Sequence, residues 1–345
     1  MPLSRKINSE GELDALLAAP SPELVDMMRR LDGDIIILGI AGKIGVSLGM
    51  QAIEAIRQAG VEKRVYGVSR FSNSVDRAKL EDAGIITIPC DLLERSQIAR
   101  LPQARNVIFL AGRKFGTQGS QPVTWAMNVI APALAAEHFR ESRIVAFSTG
   151  CVYPLRSVRQ GGCTEDDAPA PVGEYAQSCL GRERIFQYYA QKHHTNLLLF
   201  RLNYSVDLRY GVLDDIGRAV WEGRPVSNAV GYCNVIWQGD VTEAALRSLE
   251  LADAPCQILN VTGPEIASVE DIALAMGRIM GREVKFQLEK PGDLNYLNNA
   301  GKMFRLLGHP RIRLEELVVM QAEWIRNGGI SIGKPTHFEV NDGKF

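Results

Sequence analysis

Residues 35–45 read IIILGIAGKIG, an apolar tetrapeptide followed by three glycines with G-x-x-G-x-x-G spacing. An apolar run of this length is typical of a strand that is buried on both faces of a sheet. A helical pattern follows and ends at Gly60, and in that context glycines let the backbone turn tightly and approach a pyrophosphate. We therefore predict a dinucleotide-binding loop, with an ordinary tight turn as the alternative interpretation. The predicted loop residues are Gly39, Gly42, Lys43, Ile44 and Gly45.

Strands and helices alternate along the chain after this loop. The predicted strands are 35–38, 64–68, 85–88, 106–110, 143–147 and 196–200, and the predicted helices between them are 44–59, 74–83, 124–140 and 174–193. Such alternation produces right-handed βαβ units and a parallel sheet that helices cover on both faces. The sequence thus predicts an α/β fold with a Rossmann-type doubly wound parallel sheet.

The pattern divides the chain into four parts. Residues 1–33 are predicted to form a helical N-terminal arm, and residues 34–201 the NAD(P)-binding Rossmann domain. Residues 202–330 have a looser α+β pattern, with short strands expected near Val235, Ile258 and Val284, and suit a smaller substrate-binding region that exchanges segments with the first domain. Residues 331–345 are polar and contain glycine and proline, which predicts an extended tail.

Composition excludes several classes of protein. The 345 residues include 39 Lys and Arg against 40 Asp and Glu, so a net charge of −1 argues against nucleic acid as a partner. No apolar run approaches the ~20 residues of a membrane span, and the N-terminus lacks an apolar signal core. Six cysteines without a C-x-x-C pair favour neither a disulfide framework nor a zinc site, and we predict a cytoplasmic protein without a metal centre.

The end of the second predicted strand bears on the choice of cofactor. NAD-binding sheets usually place an acidic residue there, which binds the ribose 2′-hydroxyl. Here the strand ends at Ser69 and is followed by Arg70, whose guanidinium could pair with a 2′-phosphate. We therefore predict NADP, with NAD as the alternative, and a solvated surface arginine is the competing interpretation of Arg70.

Taken together, the motifs resemble the extended short-chain dehydrogenase/reductase family, also called the NAD-dependent epimerase/dehydratase family, over residues 34–327. The quoted segments are GIAGKIG (39–45), CDL (90–92), FLAGRKFG (109–116), NV (128–129), STGCVY (148–153), EYAQSCLGRER (174–184), GDVTEAAL (239–246) and NVTGPEIASVEDIA (260–273). The resemblance implies a nicotinamide cofactor, a small-molecule substrate and a homodimer built from the long helices at 124–140 and 174–193.

The resemblance also implies roles for individual residues. Thr149 occupies the slot of the family's catalytic Ser or Thr and would hydrogen-bond the reacting oxygen, and Tyr175 matches the acid/base tyrosine. A strand-end cap and a half-buried helix aromatic are the structural alternatives for these two residues. Around the cofactor, the resemblance implies Asp91 and Leu92 at the adenine, Leu110, Ala111 and Gly112 along its length, Lys114 near its phosphates or the substrate, and Asn128 in the neighbouring helix.

One residue departs from the family's Y-x-x-x-K motif, because Cys179 stands where the lysine is expected. The two positions share one helix face, and the lost cation would have favoured the tyrosinate form of Tyr175. Another cation could take over, and Lys114 and Arg113 are the candidates. For Cys179 itself, a catalytic thiol and a buried small apolar residue are both open, and burial is the simpler interpretation.

A second departure concerns the substrate. Family members that act on nucleotide sugars often grip the diphosphate with an arginine in a segment where this chain has Cys233, while Arg209, Arg224 and Arg305 are possible substitutes. We therefore predict an NAD(P)-dependent oxidoreductase, epimerase or dehydratase that acts on a hydroxyl or keto group of a free sugar, sugar acid or polyol. The alternatives are a nucleotide-sugar epimerase or dehydratase, and a catalytically impaired NAD(P)-binding sensor or scaffold.

Overall fold

The structure is a computed structural model that describes residues 6–114, 119–334 and 336–343. Its strands are β1 (Ile35–Leu38), β2 (Val65–Ser69), β3 (Ile86–Pro89), β4 (Asn106–Phe109), β5 (Arg143–Thr149), β6 (Leu197–Leu202), β7 (Ser205–Val206), β8 (Tyr232–Cys233), β9 (Ile236–Trp237), β10 (Gln257–Val261) and β11 (Ala267–Ser268). Its α-helices are α1 (Glu10–Ala18), α2 (Pro22–Arg30), α3 (Lys43–Ala59), α4 (Ser74–Asp82), α5 (Arg95–Ile98), α6 (Gln121–Trp125), α7 (Ala131–His138), α8 (Gly173–His193), α9 (Val212–Trp221), α10 (Gln238–Arg247), α11 (Val269–Met280), α12 (Gly301–Leu307) and α13 (Leu314–Arg326). A π-helical turn, Ala126–Ile130, joins α6 to α7, and 3₁₀ turns occur at Gly150–Val152, Val158–Gln160 and Ser248–Leu251.

Seven parallel strands form one sheet in the order β10-β6-β5-β4-β1-β2-β3. β1 pairs with β2 on one side and with β4 on the other, and all four of its residues are buried. The chain therefore reverses its direction of travel across the sheet at β1, and this leaves a crevice at the carboxyl ends of β1 and β4. The predicted Rossmann-type, doubly wound α/β fold is confirmed.

The structure differs from the predicted elements in three places. β3 is an edge strand, and Ile86 is 43% exposed instead of buried. Val284 lies outside any strand, and the nearest pairing is an isolated bridge between Val226 and Phe286. The helix predicted at 124–140 contains the π turn, which adds a residue to one turn and is invisible to a 3.6-residue periodicity.

The helices of the predicted arm pack against α3 and α10, and residues 1–5 of that arm lie outside the described range. α2 begins after Ser21, whose hydroxyl accepts a hydrogen bond from the Leu24 backbone N–H. Leu24 and Met28 are fully buried in the main core, which α3 and α10 also line. Ser21 also donates to the buried carboxylate of Glu243 in α10, so the arm is tied to the rest of the fold by polar and apolar contacts.

The tail returns to the body of the protein, apart from Pro335, Lys344 and Phe345, which the structure does not describe. Phe338 is buried in the apolar cluster formed by α9, α11 and α13. Thr336 donates hydrogen bonds from its backbone N–H and its hydroxyl to Asp215 at 2.9 and 2.6 Å. These contacts bring Thr336 to the carboxyl edge of the sheet.

A buried ion pair connects α8 to the sheet. Arg201 in β6 donates to both carboxylate oxygens of Glu183 in α8, at 2.9 and 2.7 Å, and both side chains are almost completely buried. Ser148 of β5 donates to the same carboxylate at 2.5 Å. The Tyr153 hydroxyl accepts from Arg201 at 2.6 Å and donates to Asn260 of β10 at 2.9 Å. The network thus links α8 to three adjacent strands.

Removing one partner of this pair is expected to destabilise the fold strongly. Glu183→Gln leaves the Arg201 charge buried without its carboxylate, which typically costs about 3–5 kcal/mol in unfolding free energy. Urea denaturation measures the loss. The matched control is Glu54→Gln, which breaks the solvent-exposed pair with Arg57 and should cost less than about 1 kcal/mol. Equal losses of unfolding free energy in the two variants would contradict the conclusion that the buried Glu183–Arg201 pair stabilises the fold.

Candidate active site

The glycine loop brings the ends of β1 and β4 into close backbone contact. Gly39 has a φ of +95°, and a Cβ at this position would lie 2.7 Å from the Ala111 backbone nitrogen. A Cβ at Gly45 would collide with the carbonyl oxygen of Ile40. Only glycine fits both positions, so the turn leads directly into the first turn of α3 with its backbone exposed toward the crevice.

A cleft of about 380 Å³ opens at this edge of the sheet. Ten of the predicted site residues line it, namely Gly39, Gly42, Lys43, Ile44, Gly45, Leu110, Gly112, Lys114, Thr149 and Tyr175. They come from the glycine loop, the end of β4, the end of β5 and the start of α8. The structure therefore brings residues that are more than 130 positions apart in the sequence into one cavity.

The remaining predicted residues do not line the cleft in the part of the chain that the structure describes. They are Ser69 and Arg70 at the end of β2, Asp91 and Leu92 after β3, Ala111 after β4, Asn128 in the π turn and Cys179 in α8. Arg70 is exposed to solvent. This exposure is consistent both with a contact to a cofactor phosphate and with a solvated surface arginine. Ala111 is instead buried against the Gly39 backbone.

Asn128 is fully occupied by protein groups. Its Oδ1 accepts from the Arg113 backbone N–H at 2.9 Å and from Arg182 at 2.6 Å. Its Nδ2 donates to the Arg113 carbonyl at 3.0 Å and to the Ser178 hydroxyl at 2.9 Å. An amide side chain offers about four hydrogen-bonding positions, so Asn128 holds the loop after β4 in place and has no position left for a direct cofactor contact.

Thr149 and Tyr175 face the same cleft, although they come from different elements. Thr149 is the last residue of β5, and its hydroxyl also accepts from the Cys151 N–H at 3.2 Å. It is therefore both a cap for the following 3₁₀ turn and a cleft residue. Tyr175 lies in the first turn of α8, and burial raises the pKa of its hydroxyl well above the usual value. Proton release by Tyr175 at neutral pH thus requires a compensating charge.

Cys179 is completely buried, in a cluster with Val152, Tyr153 and Cys163. Burial raises the pKa of its thiol to about 11, although the hydrogen bond with Tyr175 and the charge of Arg182 oppose this rise. A buried, protonated thiol is a poor nucleophile. The geometry therefore favours the interpretation of Cys179 as a small apolar side chain.

Two lysines supply positive charge to the cleft. The Lys43 ammonium lies 3.3 Å from the centre of the Tyr210 ring, and the Lys114 ammonium lies 6.0 Å from the centre of the Tyr175 ring. Lys114 also donates to the Thr336 carbonyl at 3.3 Å. Burial, together with the charges of the nearby Lys334 and Lys114, lowers the pKa of Lys43 to about 8. Such a cluster suits an anionic ligand beside the glycine loop.

The arginines proposed to replace the family's diphosphate-binding residue lie outside this cleft. Cys233 is fully buried in the apolar cluster formed by α9, α11 and α13. Arg209 forms ion pairs with Asp207 and Asp14, and Arg224 pairs with Glu222 on the surface. Arg305 is exposed on α12. Within the described ranges, none of these arginines lines the cleft that holds Thr149 and Tyr175.

Several cleft residues were missed by the sequence analysis. Asn203 and Tyr204 directly follow β6, and the rule that parallel sheets bind ligands at the carboxyl ends of their strands could have found them. Tyr204 has a φ of +40°, a strained backbone conformation that is frequent at functional sites. Tyr210 and Thr336 carry no comparable signal, because only tertiary packing brings them to the cleft.

A family model for the NAD-dependent epimerase/dehydratase family matches residues 35–205, which include the glycine loop, Thr149 and Tyr175. The chain belongs to this family. The match confirms the resemblance drawn from the motifs, and the nicotinamide cofactor that the family implies fits the open glycine cradle and the lysines beside it. No curated protein sequence matches the chain.

Solved structures of the family share the fold at low sequence identity. UDP-glucuronic acid 4-epimerase from Bacillus cereus, solved with NAD and a fluorinated UDP-sugar, has a TM-score of 0.69 and 17% identity over 85% of this chain and 99% of its own. UDP-glucose 4-epimerase from Thermotoga maritima, solved with UDP-glucose, has a TM-score of 0.70 and 18% identity over 86% and 99%. UDP-glucose 4-epimerase from Thermus thermophilus, solved with NAD, has a TM-score of 0.69 and 19% identity over 85% and 99%.

These epimerases are matched almost end to end, while about a seventh of this chain has no counterpart in them. This chain therefore shares the fold of these epimerases over nearly their whole length and has additional segments. None of the helices in the described part of this family member is long and apolar enough to cross a lipid bilayer.

The pKa of Lys43 predicts how cofactor binding depends on pH. Lys43 is protonated below about pH 8 and loses its charge above it, so affinity for the anionic cofactor should fall as the pH rises through that value. Calorimetric titration with NAD and with NADP across this range measures the effect. Lys43→Arg should keep its charge and its affinity at high pH, whereas Lys43→Met should bind weakly throughout. An unchanged pH dependence in Lys43→Met would contradict the role of this lysine.

Proposed function

We propose that this protein is an NAD(P)-dependent oxidoreductase, epimerase or dehydratase that acts on a hydroxyl or keto group of a small carbohydrate-like substrate. The observation that carries the proposal is the presence of Thr149, Tyr175 and the glycine loop in one cleft. A cofactor loop and an acid/base pair at one carboxyl edge provide the two parts that carbinol oxidation needs, a hydride acceptor and a proton acceptor.

The glycine loop and Lys43 would hold the cofactor phosphates, and Leu110 and Gly112 would form the adjacent wall. When bound, the nicotinamide supplies the position that accepts or returns a hydride. Tyr175 then accepts or returns the hydroxyl proton at its phenol oxygen, while the Thr149 hydroxyl orients the reacting oxygen. Lys114 is a cleft cation near the proposed proton acceptor, since its ammonium lies 6.0 Å from the centre of the Tyr175 ring.

The proposed substrate class rests on the residue at position 233. Nucleotide-sugar enzymes of the family often have a diphosphate-binding arginine there, whereas this chain has Cys233, buried in the apolar cluster of α9, α11 and α13. The missing arginine favours a free sugar, sugar acid or polyol. A nucleotide-sugar epimerase or dehydratase is the second candidate, and the observation in its favour is the similarity of the fold to several UDP-sugar 4-epimerases. A catalytically impaired sensor or scaffold that binds the cofactor is the third, and the buried Cys179 is its support.

The assembly and cellular location are part of the same proposal. Val123, Trp125 and Ile130 on the α6–α7 segment and Tyr188 on α8 are apolar side chains exposed by 36–56%. Their location on the two long helices supports a homodimer in which these faces pair. All six cysteines are free thiols, which agrees with a reducing, cytoplasmic location.

The function is tested by turnover with NAD and with NADP against two panels, one of free sugars, sugar acids and polyols and one of UDP-sugars. Absorbance of the reduced nicotinamide detects oxidation, and chromatography of the sugars detects epimerisation. Tyr175→Phe should lower the rate about 100-fold or more, because the proton acceptor is lost. Tyr188→Phe, an exposed tyrosine of the same helix, is the matched control and should keep full activity. Full activity in Tyr175→Phe would refute the mechanism.

The two panels also separate the three candidates. Turnover of the UDP-sugars alone would overturn the small-substrate proposal and establish the second candidate. Cofactor binding without turnover of any substrate would favour the sensor. In that case Cys179→Lys, which restores the family motif, should generate activity.

We also propose a preference for NADP, with Arg70 as the residue that contacts the 2′-phosphate. Arg70→Ala should weaken NADP binding about tenfold or more and leave NAD binding unchanged, since a charge-assisted contact is worth roughly 1.5–3 kcal/mol. Fluorescence titration with the two reduced cofactors measures the difference. Arg77→Ala, at an exposed arginine of α4 that pairs with Glu81, is the control. Equal NADP affinity after Arg70→Ala would show that this arginine is only a surface residue.

A further inference from the structure

Arg182 in α8 is a buried cation that no carboxylate neutralises among the described residues. Arg182 is only 6% exposed, and the adjacent Glu183 is already paired with Arg201. Its two hydrogen bonds go to neutral oxygens, from Nη1 to the Phe147 carbonyl at 2.8 Å and from Nη2 to Asn128 Oδ1 at 2.6 Å. A buried charge normally has an opposite charge beside it, so this arginine requires an explanation.

The guanidinium lies directly behind the wall of the cleft. A Cβ at Gly112 would collide with the Arg182 Nη2 atom, so the glycine leaves the space that the guanidinium occupies. Gly112 and Phe147 both line the cleft that holds Tyr175. The third nitrogen of the group, Nε, is buried and makes no hydrogen bond in the described structure.

Helix geometry places this charge on the face that carries the reactive tyrosine. Tyr175, Cys179 and Arg182 follow one another at i, i+4 and i+7, which is one stripe along an α-helix. Side chains on a helix lean toward its N-terminus, so the long arginine extends back toward the level of Cys179. Cys179 is the position at which the family motif has its lysine.

We propose that Arg182 is a positioning residue that supplies, from one turn further along α8, the fixed positive charge that Cys179 cannot provide, and so stabilises the tyrosinate form of Tyr175. The inference rests on the proposed function in one respect, namely that Tyr175 is the residue that exchanges the proton. When the Tyr175 hydroxyl has given its proton to the substrate oxygen or to solvent, the negative charge that remains on the phenol oxygen becomes the missing counter-charge for the guanidinium.

The groups around Tyr175 explain why an arginine is needed. The charged or titratable side chains around it are Cys179 and Arg182 from α8, Cys151, Tyr153 and Cys163 after β5, Lys114 after β4, Tyr204 after β6, and Tyr296. Burial and the thiols of Cys179 and Cys151 raise the pKa of Tyr175, and Arg182 lowers it. Burial also lowers the pKa of Lys114, so its charge is conditional, whereas a guanidinium stays protonated at every relevant pH.

The test measures the titration of Tyr175 directly and needs no substrate. A ring-fluorinated tyrosine at position 175 has a lower intrinsic pKa, so it titrates while the protein is folded, and fluorine NMR follows it in the full chain. Arg182→Met should raise its pKa by about one pH unit or more, since an opposite charge nearby typically lowers a pKa by one to three. Arg182→Lys should restore most of the effect, and Arg182→Met/Cys179→Lys should return the pKa to about the starting value.

Lys114→Met, in the same background, is the matched variant for the other nearby cation. An unchanged titration in Arg182→Met, together with a raised pKa in Lys114→Met, would overturn the proposal and assign the charge to Lys114. If Arg182→Met fails to fold, the test uses the double variant Arg182→Met/Cys179→Lys. A pKa of residue 175 in this variant that is equal to that of the starting protein supports Arg182 as the original charge, because the new lysine then only replaces what the arginine supplied. A markedly lower titration there would mean that Arg182 had contributed nothing. None of these readouts depends on turnover, so they remain informative if the proposed function fails.

Discussion

The close approach of two backbone segments, at Gly39 and Ala111, is the constraint on which the rest of the site depends. A Cβ at Gly39 would lie 2.7 Å from the Ala111 nitrogen, so the ends of β1 and β4 can meet only where residue 39 is glycine. That contact leads the chain into α3 at once and leaves the loop backbone open toward the crevice. The cleft, the lysines around it and the entry of α8 all lie around this edge.

The distribution of positive charge is the main way in which this protein differs from its family's motif. The family uses one lysine in α8, and this chain has a buried thiol in that slot. Cations instead reach the same region from three separate elements, with Lys43 in the first turn of α3, Lys114 after β4 and Arg182 further along α8. A cation need not come from one sequence position, because electrostatic interaction depends on distance and burial.

Much of the fold could be predicted because its signals are local. The apolar run Ile35–Leu38, the glycine spacing and the helix that ends at Gly60 each follow from the conformations that those residue types allow. The π turn at Ala126–Ile130, which packs against α8, could not be predicted, since a 3.6-residue periodicity carries no signal for its extra residue. The bridge that replaces a strand at Val284 likewise depends on a partner, Val226, that is far away in the sequence.

By itself, the sequence determined the alternation of buried strands and amphipathic helices, the cofactor loop and the identity of the candidate acid/base residues, because these properties depend on neighbouring residue types and their spacing. Only the tertiary structure decided that Thr336 of the tail lines the cleft, that Asn128 is saturated by protein groups and that Arg182 lies behind Gly112. These outcomes depend on which atoms meet when distant segments pack. Local patterns do not contain that information, since hydrogen-bond partners and buried charges are fixed only by the complete set of contacts.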